Sequence, residues 1–139
     1  MQTPDTARLA ALAQHYGTPL WVYDADTIRQ RIAALRQFDT IRFAQKACSN
    51  THILRLMREQ GVKVDAVSRG EILRALAAGY DAAGEPSGIV FTADLIDRDT
   101  LATVTEHRIP VNAGSIDMLH QLGEASPGHR VWLRINPGF

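Results

Sequence analysis

From residue 41 onward, short apolar runs alternate with helical patterns, and this alternation constrains the fold more than any other feature of the sequence. The strand-like runs cover residues 41–47, 62–67, 89–92, 109–113 and 130–135. Between these runs, apolar residues recur at helical spacing, as in Ile53, Leu56 and Met57. Strands that alternate with helices form βαβ units with a parallel sheet and right-handed crossovers. The sequence therefore predicts an α/β protein.

Two architectures fit this alternation, a doubly wound sheet and part of a (β/α)8 barrel. A barrel usually takes ~250 residues and eight units. The chain has 139 residues and five strands in the alternation. A doubly wound domain would be complete at this length, whereas a barrel would be cut roughly in half. The pattern alone leaves both architectures open.

The residues before the alternation predict two more helices and one short strand. Residues 4–16 have amphipathic spacing, with Asp5 or Thr3 as the N-cap and Gly17 as the stop. Residues 20–23 are predicted to form a strand, and residues 24–26 to open a second helix. The apolar face of that second helix and the later helix-ending glycines are predicted to be Ile28, Ile32, Leu35, Gly61, Gly79 and Gly123.

The composition excludes several classes of protein. Lys plus Arg equals Asp plus Glu at 15 each, so no overall field favours nucleic acid or an anionic membrane. No apolar run approaches the ~20 residues of a membrane span. The single cysteine, Cys48, cannot form an internal disulfide and suits a reducing compartment. The five histidines show no metal-ligand spacing. We expect a cytoplasmic protein without metal, nucleic-acid or membrane partners.

Lys46 lies near the end of the first strand-like run, where ligands bind in either architecture. The chain has only two lysines, Lys46 and Lys63, against thirteen arginines. An amine differs from a guanidinium because it can lose its proton when desolvated and attack a carbonyl. Lys46 is therefore a candidate Schiff-base residue. The alternative is a lysine that extends from a strand end into solvent.

Strand alternation places Arg42, Ala44 and Lys46 on one side of the first strand. In the fifth strand, Arg134 and Asn136 also share a side. If both polar sets face inward, the Lys46 amine and the Arg134 guanidinium converge at one mouth. Periodicity alone does not decide which side faces inward.

Three further residues near strand ends are candidates for a site. Asp65 lies inside an apolar strand, where a carboxylate requires a cationic or hydrogen-bonding partner. Ser68 and Glu71 match the capping box of a helix start, which is a structural role. Free N–H groups at such a helix start can also hold an anion. Cys48 has no base in the sequence and is predicted to be a packed thiol.

Several motifs resemble those of diaminopimelate decarboxylases and of their relatives, the ornithine and arginine decarboxylases and the alanine racemases. The central one is Phe-Ala-Gln-Lys-Ala-Cys-Ser-Asn at residues 43–50, which resembles the cofactor-lysine motif. The flanking motifs are Trp-Val-Tyr-Asp at 21–24, Val-Asp-Ala-Val-Ser at 64–68 with Gly-Glu at 70–71, Pro-Val-Asn-Ala-Gly-Ser at 110–115 and Leu-Arg-Ile-Asn-Pro-Gly at 133–138. The resemblance runs over nearly the whole chain in the right order.

The resemblance implies a partial (β/α)8 barrel of the alanine-racemase-like type, with about five of eight strands. It divides the chain into residues 1–25, a helix and the first strand of a β-domain, and residues 26–139, the N-terminal part of a barrel that binds pyridoxal 5'-phosphate. Lys46 matches the lysine that holds the cofactor as an internal aldimine. Asp65 and Arg134 match positions beside the cofactor in the wider group of decarboxylases, and Glu71, nearby at the start of the next helix, is a further candidate cofactor-binding residue.

The implied activity is decarboxylation of meso-diaminopimelate to L-lysine, by a homodimer when full length. The chain ends before the glycine-rich phosphate cup and the Cys-Glu segment of such enzymes, so we expect little or no decarboxylation from the chain alone. Residues 91–94 read Phe-Thr-Ala-Asp where many members carry Gly-Asn, so no role is assigned to that loop. The alternatives are another decarboxylase or racemase of this fold, a non-enzymatic pyridoxal-phosphate carrier, and an α/β binding module without a covalent cofactor.

Overall fold

The computed structural model of the chain describes residues 5–138, which contain six α-helices and five strands. The helices are α1 (Thr6–Tyr16), α2 (Ala25–Ala33), α3 (Thr51–Glu59), α4 (Arg69–Ala77), α5 (Arg98–Glu106) and α6 (Ile116–Ala125). The strands are β1 (Arg42–Ala44), β2 (Lys63–Ala66), β3 (Ile89–Ala93), β4 (Val111–Ala113) and β5 (Val131–Leu133). A 3-10 turn, Gln45–Ala47, follows β1.

Each α-helix begins after a polar residue whose side chain accepts a hydrogen bond from a backbone N–H of the first turn. Such a cap stabilises a helix by about 1 kcal/mol. The predicted cap Asp5 is confirmed, with Oδ1 accepting from the N–H of Ala7 at 3.0 Å. The alternative cap, Thr3, lies outside the described residues. The six caps are Asp5, Asp24, Asn50, Ser68, Asp97 and Ser115.

The five strands form one sheet in the order β1-β2-β3-β4-β5, and every neighbouring pair is parallel. In a doubly wound sheet the strand order reverses at a switch point, and the ligand crevice lies there. Here each strand is added beside the one before it, as around a barrel. The strand order therefore decides between the two architectures in favour of part of a barrel.

The two faces of the sheet differ in side-chain burial. Val64, Ala66, Ile89, Phe91 and Val111 are fully buried and form the core with the helices. Because neighbouring residues of a strand point to opposite faces, Asp65 and its neighbours in register lie on the other face. That second face carries Arg42, Lys63, Asp65, Thr92, Asn112 and Trp132.

The first strand is shorter than predicted. The run at residues 41–47 was expected to be extended throughout, but β1 ends at Ala44 and the 3-10 turn takes over. Lys46 therefore does not continue the alternation of Arg42 and Ala44. The pairing of β1 with β2 runs from Arg42 opposite Lys63 to Ala44 opposite Asp65 and stops there.

One predicted strand is absent from the described residues, and one predicted helix end is wrong. Residues 20–23 are not in a strand, because no segment within residues 5–138 pairs with them. Gly123 lies inside α6 instead of ending it. The buried side chains of Met118 and Leu122 hold α6 against the sheet, which offsets the roughly 1 kcal/mol that a helical glycine costs. By contrast, Gly61 and Gly79 follow α3 and α4 with positive φ, as predicted.

None of the helices within residues 5–138 is long and apolar enough to cross a bilayer.

Candidate functional site

The carboxyl ends of the five parallel strands form one edge of the sheet, and the predicted site residues are arranged along it. Lys46 follows β1, Ser68 and Glu71 follow β2, and Arg134 follows β5. Asp65 lies within β2, directly opposite Ala44 in register. The topology therefore brings Lys46 and Asp65 to neighbouring strands, with Arg134 on the opposite outer strand.

Lys46 is the exposed middle residue of the 3-10 turn. Its ammonium group forms no ion pair with any carboxylate within the described residues. No ion pair in this part of the chain therefore holds the Lys46 amine away from an incoming aldehyde. The expected partial desolvation of this amine is absent, because the outer strand leaves it open to solvent.

The residue before Lys46 was not singled out from the sequence, although its burial is complete. Gln45 is 0% exposed, and its Nε2 donates to the carbonyl of Glu71 at 2.7 Å. Its signal in the sequence was a polar side chain between an apolar run and the lysine. The alternation predicted for β1 places Gln45 and Lys46 on opposite faces of the strand. It does not predict that the Gln45 amide is fully buried in the core.

Asp65 lies on the sheet face opposite the helices, with Oδ1 buried and without a hydrogen-bond partner. Its cationic neighbour is Arg42, two residues before Ala44 on β1. Burial lowers the pKa of the Arg42 guanidinium below its ordinary value, and the negative charge of Asp65 opposes that shift. Arg42 therefore supplies a nearby positive charge, but no ion pair between Arg42 and Asp65 forms within the described residues, and Asp65 Oδ1 stays available to a donor.

Ser68 and Glu71 form the predicted capping arrangement at the start of α4. The N–H of Glu71 donates to Ser68 Oγ at 3.3 Å, and Glu71 Oε2 accepts from the N–H of Val67 at 2.8 Å. The glutamate reaches back one residue further than in the usual capping box, where it accepts from the cap itself. The Glu71 carboxylate therefore holds the junction between β2 and α4.

Arg134 pairs with the loop after β3. Its Nη1 lies 3.3 Å from Asp94 Oδ1, and its backbone N–H donates to the carbonyl of Ala113 at 2.9 Å. Gly114 makes this approach possible, because a Cβ at that position would lie 2.2 Å from Asp94 Oδ1. The predicted convergence of Lys46 and Arg134 is not a contact here, since Arg134 is engaged by Asp94.

Polar residues on the middle strands of this edge also pair with each other. Asn112 Nδ2 donates to Thr92 Oγ1 at 2.8 Å, and the two residues are partners in register. Their contact depends on the register of β3 against β4, which local sequence patterns do not encode.

A shallow cleft beside the 3-10 turn is lined by Tyr23, Cys48, Asn50, His52 and Arg74. Cys48 Sγ lies 3.8 Å from the hydroxyl of Tyr23. The hydrogen bond and the charge of Cys48 raise the pKa of Tyr23 above its usual value. Cys48 is half-buried, in line with the packed thiol that was predicted. Within residues 5–138, no group of three or more His, Cys, Asp or Glu side chains could hold a metal ion.

These features define a class of protein: part of a parallel α/β barrel with a lysine just after its first strand, at the edge where such barrels bind ligands. The amine of Lys46 has no carboxylate partner in the described residues, and a buried Asp65 oxygen lies on the next strand.

Residues 25–139 match the family described as pyridoxal-dependent decarboxylase, pyridoxal binding domain, and the chain belongs to that family. It is 70% identical over 131 residues to diaminopimelate decarboxylase of Escherichia coli strain K12, covering 94% of the chain and 31% of that protein. It is 68% identical over 135 residues to diaminopimelate decarboxylase of Streptomyces coelicolor, covering 97% of the chain and 31% of that protein.

A crystal structure of diaminopimelate decarboxylase superposes with a TM-score of 0.91 at 69% identity, covering 96% of the chain and 32% of that structure. This likeness, together with the strand order, confirms the predicted partial barrel. The predicted family resemblance is confirmed as well. The chain spans about a third of the length of the relatives that it matches.

Proposed function

We propose that the protein containing this chain binds pyridoxal 5'-phosphate through Lys46 and removes carbon dioxide from meso-diaminopimelate to give L-lysine. The observation that carries the proposal is the placement of Lys46. Its amine has no carboxylate partner in the described residues, and it follows β1 at the ligand edge of a parallel sheet, next to the strand that carries Asp65. The identity of 70% to a diaminopimelate decarboxylase supports the choice of substrate.

Each candidate residue has a distinct part in this proposal. Lys46 Nζ would hold the cofactor covalently, and the unpartnered Oδ1 of Asp65 would accept a hydrogen bond from its ring side or from the lysine. Arg134 offers a guanidinium, whose forked donors suit a carboxylate or a phosphate. Glu71 would stabilise the start of α4, because its carboxylate accepts a hydrogen bond from the N–H of Val67. When bound, the cofactor supplies the electron sink that lets the bond to the leaving carboxylate break.

The remaining expectations belong to the same proposal. Residues 20–23 would become the first strand of a β-domain once partner strands are present, which divides the chain into residues 1–25 and 26–139. The exposed side chains of Leu20, Trp21, Val22 and Tyr23 support this, because a strand in a sheet would cover them. The whole protein would act as a cytoplasmic homodimer on a small amino acid.

Covalent trapping tests the proposal directly. The purified chain is mixed with pyridoxal 5'-phosphate, reduced with borohydride and digested, and the labelled peptide is identified by mass spectrometry. We expect label on Lys46 in preference to Lys63, the other lysine of the chain. The variants Lys46→Arg and Lys63→Arg serve as a matched pair, because each keeps the positive charge and removes one reactive amine.

Label on Lys63 or the N-terminus alone would overturn the role of Lys46. The substrate is tested separately, by assaying carbon dioxide release from a panel of amino acids with the whole protein. Preference for ornithine, arginine or lysine over meso-diaminopimelate would replace the substrate and leave the cofactor site intact.

A further inference from the structure

Gln45 is the only residue of the 3-10 turn whose side chain is buried. The turn itself leaves the sheet at Ala44 and exposes Lys46 one residue later. Gln45 therefore lies between the core and the reactive amine. Its side chain crosses to the next βα unit, where Nε2 donates to the carbonyl of Glu71 at 2.7 Å.

The amide is an unfavourable choice for this position on packing grounds alone. Gln45 Oε1 is buried and has no hydrogen-bond partner within the described residues. An unpaired buried acceptor destabilises a fold, and methionine would fill a similar volume without that penalty. Because a carbonyl only accepts hydrogen bonds, the donor of Gln45 must face Glu71. The useful part of this side chain is therefore its N–H group.

The backbone of Gln45 is fixed as firmly as its side chain. Its carbonyl accepts from the N–H of Cys48 at 3.0 Å and from the hydroxyl of Ser49 at 3.1 Å. Its partner Glu71 is also held, through the carboxylate contact to Val67 and the cap at Ser68. The side-chain contact of Gln45 with Glu71 joins the end of β1 to the start of α4, and the backbone contacts hold the turn that carries Lys46.

We propose that Gln45 is a positioning residue, whose buried amide ties the lysine-bearing turn to the Glu71 carbonyl and thereby sets the direction in which Lys46 meets an aldehyde cofactor. This inference rests on the proposed function, since it concerns the same lysine. It adds a residue whose role is exerted through Lys46 without contact with the cofactor.

The test compares Gln45→Met and Gln45→Glu with the unaltered chain in the borohydride trapping assay. Gln45→Met keeps the volume and removes the donor, and we expect trapping at Lys46 to slow at least about tenfold, the order of effect that misplacement of a reacting group produces. Trapping at Lys63 should stay unchanged, because Lys63 is at the start of β2. Tyr80→Phe is the matched control, since it also removes a buried hydrogen bond donor but far from the turn.

Gln45→Glu gives a second readout that depends on protonation. A buried glutamate that keeps its proton can donate to the Glu71 carbonyl, whereas the ionised form repels it. We expect the trapping rate at Lys46, taken relative to the unaltered chain at the same pH, to fall as the pH rises. This ratio remains informative even if Gln45→Met fails to fold, which circular dichroism would reveal.

The outcomes separate the two proposals. If the unaltered chain is not labelled on Lys46, the proposed function fails first. If it is labelled on Lys46 and Gln45→Met is labelled equally fast, the positioning role is overturned. A pH-independent ratio for Gln45→Glu overturns it as well. Equal slowing in Tyr80→Phe would show a general loss of stability and would also overturn it.

Discussion

At the scale of single residues, Gly114 decides whether Arg134 can be held at the ligand edge. A Cβ there would lie 2.2 Å from Asp94 Oδ1 and 2.9 Å from the carbonyl oxygen of Ala93. We expect Gly114→Ala to displace Asp94, break its contact with Arg134 and destabilise the chain by about 1–3 kcal/mol, the usual cost of overpacking. Denaturant unfolding followed by circular dichroism measures the change.

Gly123→Ala is the matched control for this substitution. Gly123 lies inside α6, and a Cβ there meets no atom within 4 Å. Alanine should therefore stabilise the helix by about 0.5–1 kcal/mol. The same chemical change is expected to have opposite signs at the two positions. Equal effects would show that the close approach of Asp94 to Gly114 has no energetic consequence.

The sequence was sufficient to select candidate residues by their chemistry, but it did not predict which side chains contact each other. Lys46 could be selected because lysine is rare in this chain and lies where parallel strands end. Asp65 could be selected because a carboxylate in an apolar strand needs a partner, and Arg42 supplies the charge. The pairing of Arg134 with Asp94 could not be predicted, because it depends on a loop approach that only Gly114 permits.

At the scale of elements, Tyr80 joins the middle of α3 and the residue before β2 to the loop after α4. Its hydroxyl is shared between the carbonyls of Leu54, at 3.2 Å, and Val62, at 2.9 Å. Burial raises the pKa of Tyr80 to about 12, whereas an unfolded tyrosine titrates near ~10. The neutral form is thus favoured in the folded chain.

This raised pKa predicts a loss of stability at alkaline pH. The contribution of Tyr80 is complete below pH ~10 and disappears as the pH rises towards 12, because only the unfolded state releases the proton in that window. We expect the unaltered chain to lose about 1–2 kcal/mol there, allowing for solvent screening. Tyr80→Phe lacks this loss, although at neutral pH it is less stable by about 1 kcal/mol. Urea unfolding from pH 8 to 12 measures both, and parallel curves would contradict the prediction.

The elements themselves followed from the sequence better than their ends did. All five strands of the alternation are present, and the caps at Asp5 and Ser68 are confirmed. The 3-10 turn was missed because residues 45–47, Gln-Lys-Ala, contain no glycine or proline to mark the end of β1. The strand predicted at residues 20–23 has β-forming side chains, but a strand needs a partner and none pairs with it in the described part.

At the scale of the whole molecule, the order of the strands distinguishes part of a barrel from a doubly wound sheet, which periodicity could not do. The alternation of strands and helices is the same in a doubly wound sheet and in a barrel, so the sequence pattern supported both. Sequential pairing of β1 through β5 requires long-range contacts that no local pattern encodes. The same pairing puts Lys46 and Arg134 on the two outer strands, so their separation is set by how far the sheet curls.

An open sheet of this kind exposes both backbone and apolar side chains at β5. Leu133 is 66% exposed and Ile135 is 84% exposed, and β5 has only one neighbouring strand among residues 5–138. Unpaired strand edges and contiguous apolar surface both favour association. We expect the purified chain to sediment as a mixture of species whose average mass rises with concentration. Replacing both residues by lysine, Leu133→Lys with Ile135→Lys, should shift the mixture towards the monomer, because edge charges oppose strand pairing.

The matched control for this pair is Leu95→Lys, which removes a side chain of similar exposure, 83%, in the loop after β3. Leu95 is away from the β5 edge, so its replacement should leave the association largely unchanged. Far-ultraviolet circular dichroism checks that all three chains keep their secondary structure. If Leu95→Lys were as effective as the double variant, association would depend on total apolar exposure and the β5 edge would have no special part. A chain that stays monomeric at every concentration would show that the open edge is already protected.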